Sequence, residues 1–256
     1  MSDSPDDAIT RAAEQIAEAD HLCVMTGAGA SAESGIPTFR DALDGLWSKY
    51  DPTDLATPEA FNRDPATVSR WYEHRRQLCL GCEPNPGHHA LAELQRAFLE
   101  ADRQFTLITQ NVDGLHQRAG SQDPIQLHGS LFQWRCIACE QRHEPGDQEP
   151  ETFPPPCPAC EQPLRPSVVW FGEALPPEAL AAAGDAAEGC DVFLSIGTSS
   201  QVQPAASLAW TAVHGGATLI EINPDPTPVT SRADAAISLP FTTAMDRLLS
   251  ELSEIG

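Results

Sequence analysis

Lysine is almost missing from this chain: of 15 basic residues only Lys49 is a lysine, set against 37 acidic residues and a formal charge of -22. A field of that sign repels nucleic-acid phosphates, so direct nucleic-acid binding is disfavoured. Long apolar runs are lacking too, and none reaches the ~18 residues of a membrane span. The N-terminal stretch MSDSPDDAIT is acidic where a secretory leader would be basic and then apolar. The expected compartment is therefore the cytoplasm. No internal repeat or long low-complexity tract is present. So acidic and lysine-poor a chain suits molar salt, where the Debye length is ~3 Å and self-repulsion is screened.

What is present is enough apolar residue, 41% of a 256-residue chain, to bury one substantial core with a smaller module beside it. Residues 5 to 19 carry apolar positions at helical spacing with acids near the start. Short apolar runs of strand type follow at HLCVMTG, FTLITQN, PIQLHG, DVFLSIGTSS and ATLIEINP, with helical patterns such as GHHALAELQRAFLEA and ALAAAGDAAEG between several of them. This alternation predicts an α/β fold, a Rossmann-like parallel sheet covered by helices on both faces. Two stretches break the rhythm and are expected to form a small module: a helical insertion over 41–87 and a proline- and cysteine-rich insertion over 130–164. The sheet domain then comprises 1–40, 88–129 and 165–256.

The turn GAGAS joins the first strand to a helix start, and Gly27, Gly29 and Ala32 satisfy the loose G-x-G-x-x-G/A spacing of a pyrophosphate-binding turn. The same small residues suit a tight turn that binds nothing, so the motif alone leaves both readings open. Its continuation, SGIPTFRDALDGLW, departs from an ordinary dinucleotide fold, with Pro37 breaking the helix and Arg40 on a loop. An acid-terminated ribose-binding strand is better sought at LIEINP, which offers Glu221 and Asn223.

Eight cysteines in an intracellular chain point to metal ligands or buried thiols. Cys136 and Cys139, then 17 residues, then Cys157 and Cys160 match C-x2-C-x15–20-C-x2-C, four thiolates for one closed, structural zinc. A third pair, Cys79 and Cys82, has no second pair nearby and reads as incidental, while Cys23 and Cys190 read as buried in or beside core strands. With the metal saturated by cysteine, His128 is free for other work. It is expected to end a strand of the parallel sheet, at the height of Gln110, Asn111 and Asp113 on another strand end. Imidazole, amide and carboxylate converging on one crevice form a plausible acid/base constellation. His116, a turn farther on, is expected to pack or cap.

Together, GAGASAESGIPTFR, TQNVDGLHQRAG, LHGS, the two cysteine pairs, RPSVVWFGE, GTSSQVQPAA and EINP resemble, in that order, the sirtuin family of NAD-dependent protein deacylases. The resemblance implies NAD as cosubstrate, with Gly27, Ala28, Gly29, Ala30, Thr38, Phe39 and Arg40 along its phosphates and nicotinamide ribose. Ala30 stands where the family usually has isoleucine. Gln110, Asn111, Val112 and Asp113 would line the nicotinamide pocket, and Gly197, Thr198, Ser199 and Asn223 the adenosine half, with Phe241 near adenine. Val169, Trp170, Phe171, Gly172 and Glu173 would form the segment to which an acylated-lysine protein substrate adds as a β-strand. In the implied mechanism the acyl-lysine amide oxygen attacks C1′ of the nicotinamide ribose, nicotinamide leaves, and His128 acts as general base on the ribose hydroxyls. The products are nicotinamide and 2′-O-acyl-ADP-ribose. Asn111 and Asp113 are the further catalytic candidates.

The stretch DLATPEAFNRDPATVSRWYEHRRQ resembles the class III sirtuins, which favour acidic acyl groups; its matching positions are Ala60, Tyr72 and Arg75. A guanidinium takes a carboxylate bidentately, and positions three apart share a helix face. The alternatives are a sirtuin-fold protein ADP-ribosyltransferase and a non-catalytic NAD-sensing interaction module.

Overall fold

The structure is a computed structural model that describes residues 4–38 and 51–255. In chain order its strands are β1 (His21–Thr26), β2 (Gln104–Thr109), β3 (Ile125–Gln126), β4 (Gly129–Cys136), β5 (Arg142–His143), β6 (Leu164–Val168), β7 (Val192–Ile196), β8 (Thr218–Ile222) and β9 (Ala235–Ile237). The α-helices among the described residues are α1 (Pro5–Glu18), α2 (Gly29–Ala32), α3 (Pro52–Leu55), α4 (Pro58–Arg63), α5 (Pro65–Gly81), α6 (Pro86–Glu100), α7 (Leu115–Arg118), α8 (Pro177–Gly189), α9 (Ser207–Gly215) and α10 (Phe241–Ile255). No described helix is long and apolar enough to cross a membrane.

Alternation along the strands sets the layering. Successive strand side chains point to opposite faces, so Leu22, Val24, Leu107, Leu194 and Ile220 join the buried faces of α1, α6 and α10 in one cluster. Their neighbours Cys23, Met25, Ile108, Phe193 and Leu219 meet Ala183 and Ala187 of α8 and Leu208, Ala209 and Ala212 of α9 in a second. Apolar side chains on both faces are what a sheet covered by helices on both sides requires. The helices start where chain chemistry provides a cap. Ser4 accepts from the Asp7 N–H ahead of Pro5, and Asn85 forms a reciprocal capping box with His88 ahead of Pro86.

The main sheet has six parallel strands in the order β3-β2-β1-β7-β8-β9. The chain moves outward from β1 through β2 to β3 and returns beside β1 at β7. The strand order therefore reverses between β1 and β7, the place where open α/β sheets leave a crevice at their carboxyl ends. β4 pairs antiparallel with β5 and β6 in a separate three-stranded sheet. α3, α4 and α5 pack with this sheet and Trp170 in a third apolar cluster.

One expectation is corrected. His128 does not end a strand: β3 stops at Gln126, and His128 lies in the turn that leads into β4. Gly129 has φ +77, and a Cβ there would collide with the Ser167 carbonyl, so the glycine permits the close β4–β6 start that ends the turn.

The lower face of α5 docks the loop ahead of the second cysteine pair. Arg76 donates to both carboxylate oxygens of Glu73, Nε to Oε2 at 2.9 Å and Nη2 to Oε1 at 2.8 Å. Arg76 Nη2 also donates to the Gln148 carbonyl, and Gln77 Nε2 to the Asp147 carbonyl and Glu73. Arg70 lies over the Phe153 ring.

Candidate active site and metal centre

Four loops meet at the strand-order reversal. The β1–α2 loop lies against the end of β7: Gly27 N–H donates to the Ile196 carbonyl at 2.9 Å and Gly29 N–H to the Gly197 carbonyl at 2.8 Å. A Cβ on Gly27 or on Gly29 would come within 2.8 Å of backbone atoms at 197 and 198. These glycines are required first by the meeting of two loops, whatever ligand the crevice takes.

The side chains beyond β2 tie the loops together. Gln110 Nε2 donates to Thr198 Oγ1 at 2.9 Å, and Asn223 Nδ2, just past β8, donates to the Thr198 carbonyl at 2.9 Å. Asn111 Nδ2 donates to the Gly27 carbonyl and to Ser31 Oγ, both at 3.0 Å. Asp113 accepts from Ser31 Oγ at 2.7 Å and from the Leu115 N–H at 2.9 Å. Burial nevertheless raises the Asp113 carboxyl above its ordinary pKa. Ser31, within the GAGAS turn but not singled out by the motif, is the hub of this network.

His128 is half-buried, and its Nδ1 is 2.9 Å from the Gln110 carbonyl oxygen. A carbonyl only accepts, so Nδ1 carries the proton and Nε2 keeps its lone pair. Desolvation lowers the His128 pKa below the usual imidazole value, opposed by that hydrogen bond. The arrangement can take a proton at Nε2 at neutral pH. His116 is buried and paired through Nε2 with Thr26 Oγ1 at 2.8 Å, with its ring edge-on to that of His88.

Val112 packs on the third apolar cluster, and its carbonyl accepts the Leu131 N–H. Ala28 caps α2 and Ala30 lies within it, where Asn85 Nδ2 donates to the Ala30 carbonyl, and Ser199 is half-buried beside Thr198. Phe241 begins α10 with its ring buried against Gly87 and His88. Glu221 accepts from Thr227 and Thr230 hydroxyls in the following loop, so its carboxylate is spent on that turn and Asn223 alone of the LIEINP pair joins the network. Thr38 is the last described residue of the segment 4–38, and Phe39 and Arg40 lie outside the described residues.

Two hydroxyls on the framing loops, Ser34 Oγ and Ser200 Oγ, are buried and find no hydrogen-bond partner among the described residues. Buried polar atoms are normally paired, so the crevice fits a polar ligand such as a dinucleotide.

A second group lies where α5 meets the end of β6. Ala60 and Tyr72 are buried in the third cluster, and the Arg75 guanidinium lies 5.0 Å from the Trp71 ring centroid and 5.8 Å from that of Tyr72. Burial pushes the Tyr72 hydroxyl up to about 12, so it remains a donor. Trp170 packs on Phe61 and Tyr72. In the segment after β6, the Val169 N–H donates to the His128 carbonyl and the Phe171 N–H to the Ala56 carbonyl, while Gly172 has φ +86. Glu173 forms a bidentate pair with Arg165, at 2.6 and 3.0 Å, and accepts the Trp170 N–H. That pairing holds the Glu173 carboxylate below its ordinary pKa despite partial burial.

Cys136, Cys139, Cys157 and Cys160 bring their sulfurs within 4.8 Å of one another. The separations include 3.4 Å between Cys136 and Cys160, 3.7 Å between Cys139 and Cys157 and 3.6 Å between Cys139 and Cys160. A tetrahedral zinc with ~2.3 Å metal–sulfur bonds sets its sulfurs ~3.8 Å apart, so the quartet fits that ion and leaves no open position. Backbone N–H groups of Ala138 and Cys139 donate to Cys136 Sγ and lower its pKa to about 6. Among the described residues no other group of three or more ligating side chains is gathered in this way. Cys79 is buried and Cys82 half-buried, neither joined to that quartet, and Cys23 and Cys190 are buried.

A model of the Sir2 family matches residues 27–204. An NAD-dependent protein deacylase of Thermus thermophilus is 49% identical over 243 residues, 94% of each chain. A solved complex of a Sir2 homologue with NAD superposes with a TM-score of 0.89 at 46% identity, covering 96% of this chain and 94% of that one. A mutant Sir2 homologue bound to 2′-O-acetyl ADP ribose gives 0.88, also at 46% identity, over 96% of both chains.

Proposed function

The chain belongs to the Sir2 family, and from that premise we propose that it removes acyl groups from protein lysines with NAD as cosubstrate, releasing nicotinamide and 2′-O-acyl-ADP-ribose. The observation that carries the reading is the crevice at the β1/β7 reversal, where a half-buried imidazole with a free Nε2 stands beside the Gln110–Thr198 and Asn111–Ser31–Asp113 networks.

NAD, when bound, supplies a ribose carbon that loses nicotinamide and accepts the acyl oxygen. The chain's own residues do the rest. The loops carrying Gly27 to Ala30 and Gly197 to Ser199 bind the cosubstrate, with Thr38, Phe39, Arg40, Asn223 and Phe241 as further contacts. Gln110, Val112 and Asp113 shape the nicotinamide side, Asn111 orients the ribose, and His128 Nε2 takes a ribose hydroxyl proton. Zinc on the four cysteines supplies a structural cross-link and no chemistry. The functional units are the sheet domain (1–40, 88–129 and 165–256) and the insertions 41–87 and 130–164. Segment 169–173 receives the substrate main chain, with Glu173 bracing it through Arg165.

The acyl group lies against Ala60, with Tyr72 and Arg75 at its far end, so acidic acyl groups such as succinyl and malonyl are accepted along with acetyl. A buried phenol donor beside a guanidinium, in a chain of charge -22, supports a site for one carboxylate.

The test is nicotinamide release from NAD with acetyl-, malonyl- and succinyl-lysine forms of one peptide. His128→Ala is expected to abolish turnover, and retention of full activity would remove the general-base assignment. A charge-assisted hydrogen bond contributes ~1.5–3 kcal/mol, so Arg75→Met is expected to lower succinyl kcat/KM at least tenfold more than acetyl kcat/KM. Equal losses would dismiss the carboxylate clamp.

A further inference from the structure

His143 lies outside the cysteine quartet and still reaches it. Its Nε2 is 3.5 Å from Cys157 Sγ, within hydrogen-bond range for the larger sulfur atom. The hairpin explains the position. β5 pairs antiparallel with β4, His143 opposite Trp134, and the Cys136 N–H donates to the Gln141 carbonyl at 3.0 Å. The return strand thereby carries the imidazole from the first cysteine pair across to the second. Cys157 is 1% exposed and packs with Trp134, Cys136 and Leu164, whereas Cys139 is exposed. His143, half-buried, stands against the enclosed side of the site.

Chemistry fixes the polarity of the contact. A zinc-bound thiolate has no proton to give, so the hydrogen between the two atoms belongs to Nε2. The imidazole is a donor here and not a ligand: the four sulfurs lie within 4.8 Å of one another, and among the described residues no histidine nitrogen joins that group. Zinc with four thiolates stays net negative, in a chain already at -22, and hydrogen bonds that spread the sulfur charge favour the metal-bound state. Cys136 Sγ takes two of them, from the Ala138 and Cys139 N–H groups at 3.4 and 3.5 Å. For Cys157 the donor is a side chain. His143 and Cys157 also flank the loop 144–156, which meets α5 through the Asp147 and Gln148 carbonyls and the Phe153 ring.

We propose that His143 is a positioning residue of the metal centre: its Nε2–H donates to the Cys157 thiolate, helps retain the zinc and closes the α5-docking loop at its base. The inference rests on the reading of the four cysteines as a zinc site. It gives a role to a histidine that the cysteine spacing left out.

The experiment uses the full-length protein, loaded with zinc or with cobalt(II) in its place, as wild type, His143→Phe and His143→Gln. Phenylalanine keeps a ring without an N–H, and the glutamine amide restores a donor at similar reach. Zinc transfer to an excess of a chromogenic chelator is expected to be about tenfold faster or more from His143→Phe, the range that partners of metal ligands give, and near wild type from His143→Gln. In the cobalt form, losing the hydrogen bond raises the sulfur lone pairs in energy. The thiolate-to-cobalt charge-transfer absorption should therefore move to lower energy in His143→Phe and return in His143→Gln, with the d–d absorption of four sulfurs in all three. If His143→Phe fails to fold, His143→thienylalanine gives the comparison with a five-membered ring that has no N–H. Unchanged release with unchanged charge-transfer absorption, or a loss that glutamine does not restore, would overturn the proposal. So would a wild-type cobalt spectrum of three sulfurs and one nitrogen, which would make His143 a ligand. A wild-type chain that takes up no zinc sinks the zinc reading and the inference with it, a pattern distinct from failure at His143 alone.

Discussion

Neutralising Glu73 tests how the cysteine-rich insertion is held to α5. Glu73 and Arg76 have side chains only 2% and 1% exposed and are joined by two hydrogen bonds. The same guanidinium reaches the Gln148 carbonyl, and Gln77 adds a link to Asp147. Glu73→Gln keeps the shape and leaves a buried cation without its counter-charge, a change that costs about 3–5 kcal/mol. The amide still accepts one hydrogen bond from Arg76, which places the effect near the lower bound. At about 2–4 °C per kcal/mol for a chain of this size, the melting temperature should fall by roughly 6–12 °C. The double change Glu73→Leu with Arg76→Met removes both charges and should return most of that loss, because apolar replacement of a buried pair is close to neutral. The assay is thermal unfolding by circular dichroism with zinc in excess. A Glu73→Gln protein melting within 2 °C of wild type, or a double variant melting as low as the single one, would refute the reasoning.

Acid should unfold the protein through its buried histidines. Burial depresses His88 to about 3 and His116 to about 4, so the folded chain refuses protons that the unfolded chain takes up below about 6.5. Stability is therefore full above that value and falls with pH, by on the order of 3 kcal/mol for each residue by pH 4. Urea midpoints from pH 7 to 4 should show a flatter acid limb in His88→Asn with His116→Gln, and an identical slope would count against the account. His128, also depressed by burial, should give kcat/KM an acid limb below the usual histidine value; a limb above 7 would contradict it. Metal analysis should find one zinc per chain in wild type and in His128→Ala, and little in Cys157→Ser; zinc loss on replacing His128 would reassign that residue.

The parallel sheet was legible because its strands are short apolar runs with no polar face, and the zinc quartet because ligand spacing is a local property. The place of His128 was legible only to within a turn, since Leu127, the one residue between Gln126 and His128, carries no signal of where pairing stops. What could not be read was partnership across the fold. Glu73 and Arg76 look in sequence like a solvated i,i+3 pair, and they are buried because a loop seventy residues away closes over them. Glu221 looked like a ribose ligand at a strand end until the hydroxyls of Thr227 and Thr230 claimed it. Ser31 passed as a small turn residue, yet it bridges Asn111 and Asp113.

Gly27 and Gly29 have little room because they press on residues 197 and 198, and the reverse also holds, since a Cβ on Gly197 would strike the backbone of Gly29 and Ala30. For anyone redesigning the cosubstrate, these three positions behave as a single site. Libraries that vary them one at a time will return mostly misfolded chains. A first loop transplanted from a relative should arrive together with the loop it faces.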